Sequence, residues 1–179
     1  MTVPQIRVRS LDANLRVNPS RGSVLPPWNF CYPRAAKMRA AAIFGLGSSL
    51  RDLKPFQYDS SIEWTIGVPA EREGLDAVLI FGGDGTVHRH LAALVKLGLP
   101  VLVVPAGSGN DFARALGIPD VRDSLTAWKV FVSGAANLRA VDLGTITSLE
   151  GISQITYFSC AADVGLDGEI ARRANSLPR

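Results

Sequence analysis

The chain has 179 residues, 47% of them apolar and 20% charged, with a formal net charge of +3. That balance belongs to a folded domain and excludes collagen and low-complexity chains; no apolar run reaches the roughly 18 residues that a bilayer-spanning helix needs. Cys31 and Cys160 are too few for a disulfide scaffold or a structural zinc site, and a reducing cytoplasm fits them best.

The charge is uneven. Residues 1–54 hold nine Lys/Arg against Asp12 and Asp52, whereas 55–179 hold ten against fourteen acids. Residues 1–37, with Pro4, Pro19, Pro26, Pro27 and Pro33 and no clear periodicity, read as a basic leader. It is either a poorly ordered tail or a patch for anionic head groups or nucleic acid. Met38 opens a cleaner segment and is a candidate true start, which would make the leader a translation artefact; an Arg-rich transit peptide would look similar.

From Met38 the elements follow one another closely. A short buried strand is predicted over 40–44, running into Gly45 and Gly47. A helical turn over 48–53, capped by a serine, stops at Pro55. A second strand spans 62–66, and 69–74 is a short helix or turn with Pro69 near its start. Residues 77–81, Ala-Val-Leu-Ile-Phe, are apolar throughout, as a parallel strand covered on both faces should be. After Gly85 the spacing becomes helical: Val87, Leu91, Leu94 and Val95 share one face. Thr86 is the expected N-cap and Gly98 the stop. Residues 101–104 form the next apolar strand, 112–116 a helix ended by Gly117 and Pro119, and Leu125, Trp128 and Val132 mark a further helix up to Gly134.

Strand–helix–strand–helix order predicts an α/β fold: a Rossmann-like parallel sheet with helices on both faces. From Ala140 the pattern changes. Residues 140–144 and 155–159 are strand-like without an intervening helix, which predicts an antiparallel pair. The expected organisation is thus the leader over 1–37, an α/β nucleotide-binding domain over 38–138, and over 139–179 the start of an incomplete β-sandwich domain.

Two glycine-rich loops carry the chemistry. Gly82-Gly83-Asp84-Gly85-Thr86 lies between the clearest strand and the clearest helix. Its glycines permit a sharp turn and close approach, and the helix N-terminus behind them suits phosphate. A carboxylate there needs a use: holding Mg²⁺ or accepting a proton. Pro105-Ala106-Gly107-Ser108-Gly109-Asn110-Asp111 is the second loop, with hydroxyl, amide and carboxylate groups at the sheet mouth. Each alone is also compatible with a plain capped turn, Asp84 capping the first helix and Asn110 or Asp111 the second. Together, 25 residues apart from Gly82 to Gly107, they should share the carboxyl edge of the sheet, where ligands bind in open α/β folds.

Residues 80–86 followed by 105–119 resemble the catalytic domain of the diacylglycerol kinase family, which includes bacterial lipid kinases and sphingosine kinases. Residues 140–144 and 158–168 are similar to the same branch. The first motif is shared with NAD kinases. The resemblance implies ATP-dependent transfer of the γ-phosphoryl group to a lipid hydroxyl, with Mg²⁺. Asp84 would be the catalytic carboxylate, a base or metal-shell ligand. Gly82, Gly83, Gly85, Thr86, Gly107, Ser108, Gly109 and Asn110 would bind the nucleotide. It also implies a cytoplasmic protein meeting its lipid substrate peripherally at a membrane surface, with no nucleic-acid partner. An NAD kinase-type phosphotransferase and a non-catalytic nucleotide-binding fragment are the alternatives. Arg89 stands where the family usually has Glu, three residues after the motif's Thr. Residues 17–22, Val-Asn-Pro-Ser-Arg-Gly, resemble the family's first loop, and 44–47, Phe-Gly-Leu-Gly, suit that role equally well.

Several polar and aromatic residues invite less. His88 and His90 are two apart on a helix and cannot chelate one metal; His88 leans to surface packing or, less readily, to the phosphates. Cys31 and Cys160 read as inert, Trp128 as core, and Asp163, Asp167 and Glu169 as either a cleft cluster or a solvated turn.

Overall fold

Strand β4, Ala77–Gly82, is buried along its whole length, and so is β5, Val101–Pro105. A strand with no polar face must be covered on both sides. The computed structural model, which describes residues 3–8, 37–72, 74–135, 137–147, 155–160 and 166–176, shows how. A fully parallel sheet runs in the order β3-β2-β4-β5, with β2 at Arg39–Phe44 and β3 at Glu63–Ile66.

From β2 the chain steps outward to β3, then returns across β2 to β4 and continues to β5. The direction of winding therefore reverses between β2 and β4. With right-handed crossovers, such a reversal places the connecting helices on opposite faces. One face carries α1 (Leu50–Leu53), the 3-10 turn Lys54–Phe56 and α4 (Val121–Val132). Phe56 meets Phe81 edge-on at 5.3 Å, Phe81 stacks on Phe44 at 5.1 Å, and the Trp128 indole N–H donates to the Phe56 carbonyl at 3.2 Å. The other face is covered by α2, Asp84–Leu97, through Val87, Leu91, Leu94 and Leu97.

Local chemistry accounts for the helix ends. Ser49 caps α1, and Asp52 returns a bond to the Ser49 N–H at 2.7 Å, a capping box. Pro55 does not stop the chain there: it occupies the first turn of the 3-10 segment, where no N–H is needed. Residues 69–72 and 74 form bends and a turn rather than a helix. Gly98 ends α2 with a left-handed φ of 58°. Asp120 caps α4, whose buried face is Ser124, Ala127, Trp128 and Phe131, rotated from the predicted stripe. The Ser124 hydroxyl reaches the Val103 carbonyl at 3.1 Å, so a small polar residue holds the helix close to the sheet. Trp128 is fully buried, as expected of a core residue.

Beyond α4, β6 (Leu138–Thr147) pairs antiparallel with β7 (Ile155–Phe158), as the change in pattern predicts. β6 also pairs in parallel with β1, Val3–Val8. Gly144 lies opposite Phe158, and a Cβ there would run into that ring. Helix α5, Leu166–Ser176, carries Glu169 in a pair with Arg172 at 2.7 Å and Arg173 at 2.9 Å. Residues 17–22, Trp28, Cys31 and Asp163 lie outside the described residues, as does most of the leader. Among the described residues no helix is long and apolar enough to cross a membrane.

Candidate functional site

Register decides where the loops emerge. Phe44 is level with Phe81, and Gly82 is level with Pro105. The segments that follow, 45–47, 83–85 and 106–110, therefore leave one edge of the sheet at one height. Backbone bonds continue the ladders just past the strands: the Gly45 N–H donates to Phe81 at 2.7 Å and the Ala106 N–H to Gly82 at 3.2 Å. The crevice between β2 and β4 is where winding reverses, the place where open α/β sheets bind ligands.

Helix α2 begins earlier than predicted. Its N-cap is Gly83, in extended conformation and with no side chain to cap; Thr86 lies inside the first turn. There the Thr86 side chain fills the space that a Cβ on Gly45 or Gly82 would need, so one threonine knits the loop after β2 to the loop after β4. The N–H groups of Thr86 and Val87 bond to the Gly83 carbonyl at 2.9 and 3.2 Å. Those of Asp84 and Gly85 precede the helical ladder and face outward at the positive end of the helix dipole.

The second loop is locked by Asn110. Its side chain accepts from the Gly107 N–H at 2.9 Å and donates to the Gly107 carbonyl at 2.6 Å. Asn110 sits at φ 59°, a left-handed conformation that asparagine tolerates. It occupies the N-cap position of α3 (Asp111–Ala115), yet its side chain does not bond to that helix. Asp84 does so from across the rim. Its Oδ2 accepts from the Asp111 N–H at 3.0 Å and its Oδ1 from the Phe112 N–H at 2.9 Å. Asp84 therefore caps α3 rather than its own helix.

The two loops touch. A Cβ added to Gly107 would lie 2.6 Å from the Gly83 Cα, and one on Gly109 would lie 3.0 Å from the Asp84 Oδ2. Above the contact opens a cavity of about 760 Å³. Gly83, Asp84, Gly85 and Thr86 line it from one loop, Gly107, Ser108 and Gly109 from the other. Gly82 and Asn110 are placed differently: Gly82 is buried at the end of β4 against Thr86, and Asn110 is turned back onto Gly107. Both hold the rim in shape.

Three wall residues lay outside the predicted site. Leu46, His88 and Arg89 also line the cavity. The signal for Arg89 was present in the sequence, because it stands one helical turn after Gly85 and so on the same side of α2. His90, two residues from His88, is drawn below the usual imidazole range, first by burial and then by the Arg89 charge. Cys160, just past β7, is a free thiol. Burial pushes it above the usual thiol range; a hydrogen bond with Ser159 pulls down, and the Asp84 and Asp111 carboxylates push further up. The end of β7 thus lies near the rim, a placement that spacing in the sequence could not reveal.

A doubly wound sheet with glycine loops at its reversal point defines an open α/β domain with a ligand crevice at its carboxyl edge. Residues 63–146 match the diacylglycerol kinase catalytic domain family. The chain is 36% identical over 108 residues to a diacylglycerol kinase of Mycobacterium tuberculosis, covering 60% of this chain and 33% of that protein. It is 42% identical over 73 residues to a diacylglycerol kinase of Bacillus subtilis, covering 40% of this chain and 23% of that one. The chain thus spans about a third or less of the length of these curated relatives. An NAD kinase of Archaeoglobus fulgidus, solved in complex with ATP, aligns at 21% identity with a TM-score of 0.29, covering 39% of this chain and 28% of that one. The fold assignment rests on the strand order above and not on that likeness.

Proposed function

We propose that this chain supplies the nucleotide half of an ATP-dependent lipid kinase, in which the γ-phosphoryl group passes to a lipid hydroxyl. The observation that carries the reading is the backbone contact between Gly83 and Gly107, which closes two glycine loops into one rim around Asp84. Free N–H groups at the start of α2 and in the second loop suit the oxygens of a triphosphate. Phosphoryl transfer asks a protein mainly for positioning and charge neutralisation, and this rim offers both. The acceptor oxygen forms its bond to the γ-phosphorus as the bridge to the β-phosphate breaks, ADP leaves, and the hydroxyl proton passes to a base.

Each Asp84 oxygen accepts one N–H and keeps a lone pair. That leaves the carboxylate able to take the acceptor proton or to touch a metal. Among the described residues no group of three or more His, Cys, Asp or Glu is placed to hold an ion. The Asp84 carboxylate at the rim suits magnesium, which is commonly held by one carboxylate, phosphate oxygens and water. Bound magnesium would neutralise charge on the phosphates. In this reading the protein works in the cytoplasm and meets the lipid peripherally at a membrane surface.

A second reading, a nucleotide-binding unit without catalysis, draws on Asp84 being already engaged as the cap of α3. Calorimetry with ATP, followed by transfer of labelled γ-phosphate to a lipid extract and to NAD, separates the readings. The lipid kinase reading predicts ATP binding and labelled lipid, both counted beside Asp84→Asn, which should bind and not transfer. Labelled NAD supports the NAD kinase alternative, and binding without any transfer supports the second reading.

A further inference from the structure

The cavity wall has one guanidinium, Arg89, and one carboxylate, Asp84. The carboxylate is occupied by the N–H groups of Asp111 and Phe112. The guanidinium is not. Other described arginines near acids are paired: Arg114 with Asp111, Arg172 and Arg173 with Glu169, Arg39 with Glu63. Arg89 is exposed and forms no ion pair or hydrogen bond among the described residues. It stands one turn after Gly85 on α2. Helical side chains lean toward the N-terminus, over the turn before them. At Gly85 that turn is empty: a Cβ there would meet nothing within 4 Å. The side chain therefore has a clear path back to the free N–H groups at the mouth of the cavity, with His88 beside it.

We propose that Arg89 is the fixed cation that receives the terminal phosphate of the nucleotide, so that the rim binds the polyphosphate without magnesium. This deepens the nucleotide-site reading and rests on it. A guanidinium presents several N–H donors to phosphate oxygens and stays charged at any working pH. Where a carboxylate in its place would need a metal ion between itself and the phosphates, an arginine meets them directly. Magnesium then serves the transfer step and not the holding of the nucleotide.

The test is calorimetric titration of the whole chain with ATP in EDTA, ATP with magnesium, inorganic tripolyphosphate, and adenosine. Wild type, Arg89→Gln and Arg89→Lys are compared. Wild type should bind ATP in EDTA within about threefold of its affinity in magnesium. Arg89→Gln should weaken ATP and tripolyphosphate in EDTA by roughly tenfold or more, as loss of a charge-assisted pair implies, with adenosine unchanged and Arg89→Lys intermediate. An NMR titration of His90 in Arg89→Gln confirms a folded variant if the imidazole stays below its usual range, since burial, the larger cause of its depression, persists only in the folded chain. Unchanged ATP binding by Arg89→Gln overturns the role of Arg89 while leaving the nucleotide site standing. Equal weakening of adenosine and tripolyphosphate overturns it too, because the effect is then structural. Wild type failing to bind ATP under any condition overturns the nucleotide reading itself.

Discussion

Replacing Gly107 by alanine tests the loop contact directly. Gly107 does not have a left-handed φ, so alanine is not strained by its own backbone and the effect is one of space. The new Cβ would lie 2.6 Å from the Gly83 Cα, 3.0 Å from the Gly83 N and 3.0 Å from the Asn110 Oδ1. Backbone atoms cannot rotate away, so the loops must part by ~0.8 Å to restore the ordinary 3.4 Å contact. Overpacking of this kind costs ~1–3 kcal/mol, and a Gly-to-Ala change returns ~0.4–1 kcal/mol through the unfolded chain. The net is a loss of about 1.3 kcal/mol, which for a chain of this size lowers Tm by about 3–5 °C. Gly85→Ala is the control on the same rim. Its Cβ meets nothing within 4 Å and its φ is not left-handed, so it should hold Tm or raise it by about 1–3 °C. Thermal unfolding followed by circular dichroism at matched pH measures both. Gly107→Ala melting at or above wild type would refute the contact.

Asp84→Ala removes two bonds to the start of α3 and should cost about 2 kcal/mol. Thermal unfolding should show a drop of about 4–8 °C, and hydrogen exchange should speed at the Phe112 amide. Asn110→Gly keeps the left-handed backbone at ease but deletes both bonds to Gly107. A loss of about 1–2 kcal/mol is expected in urea unfolding, with an unchanged m-value. His90 has a depressed pKa in the folded chain, so the unfolded chain binds its proton more readily. Its contribution to stability is therefore present above the unfolded value of about 6.5 and is lost as pH falls through it. His90→Gln should flatten that part of the stability profile between roughly pH 7.5 and 5.5, measured as urea midpoints.

How much was legible in the sequence follows the range of each interaction. Periodicity located β2 to β5, α2 and α4 because burial of a face is recorded in neighbouring residues. The antiparallel β6–β7 pair was legible for the same reason. Thr86 was expected to cap α2 on residue type, yet the chain needs its methyl and hydroxyl as filler against Gly45 and Gly82, and the cap falls to Gly83. The face of α4 was misphased because a serine, Ser124, is buried against β5. Asp84 was expected to act on its ligand or cap its own helix. Its partners Asp111 and Phe112 lie 27 and 28 residues on, and only strand register, level at Gly82 and Pro105, brings them within reach. Motif spacing identified the loops; the contact that joins them is tertiary.

Amide chemical shifts during an ATP titration test the account's central claim most directly. In a ¹⁵N-labelled sample, the largest shifts should fall on Asp84, Gly85, Ser108 and Gly109, with Thr86 following as the start of α2 tightens. Shifts centred on the opposite edge of the sheet, or spread without reference to the two loops, would contradict a rim built to grip phosphate.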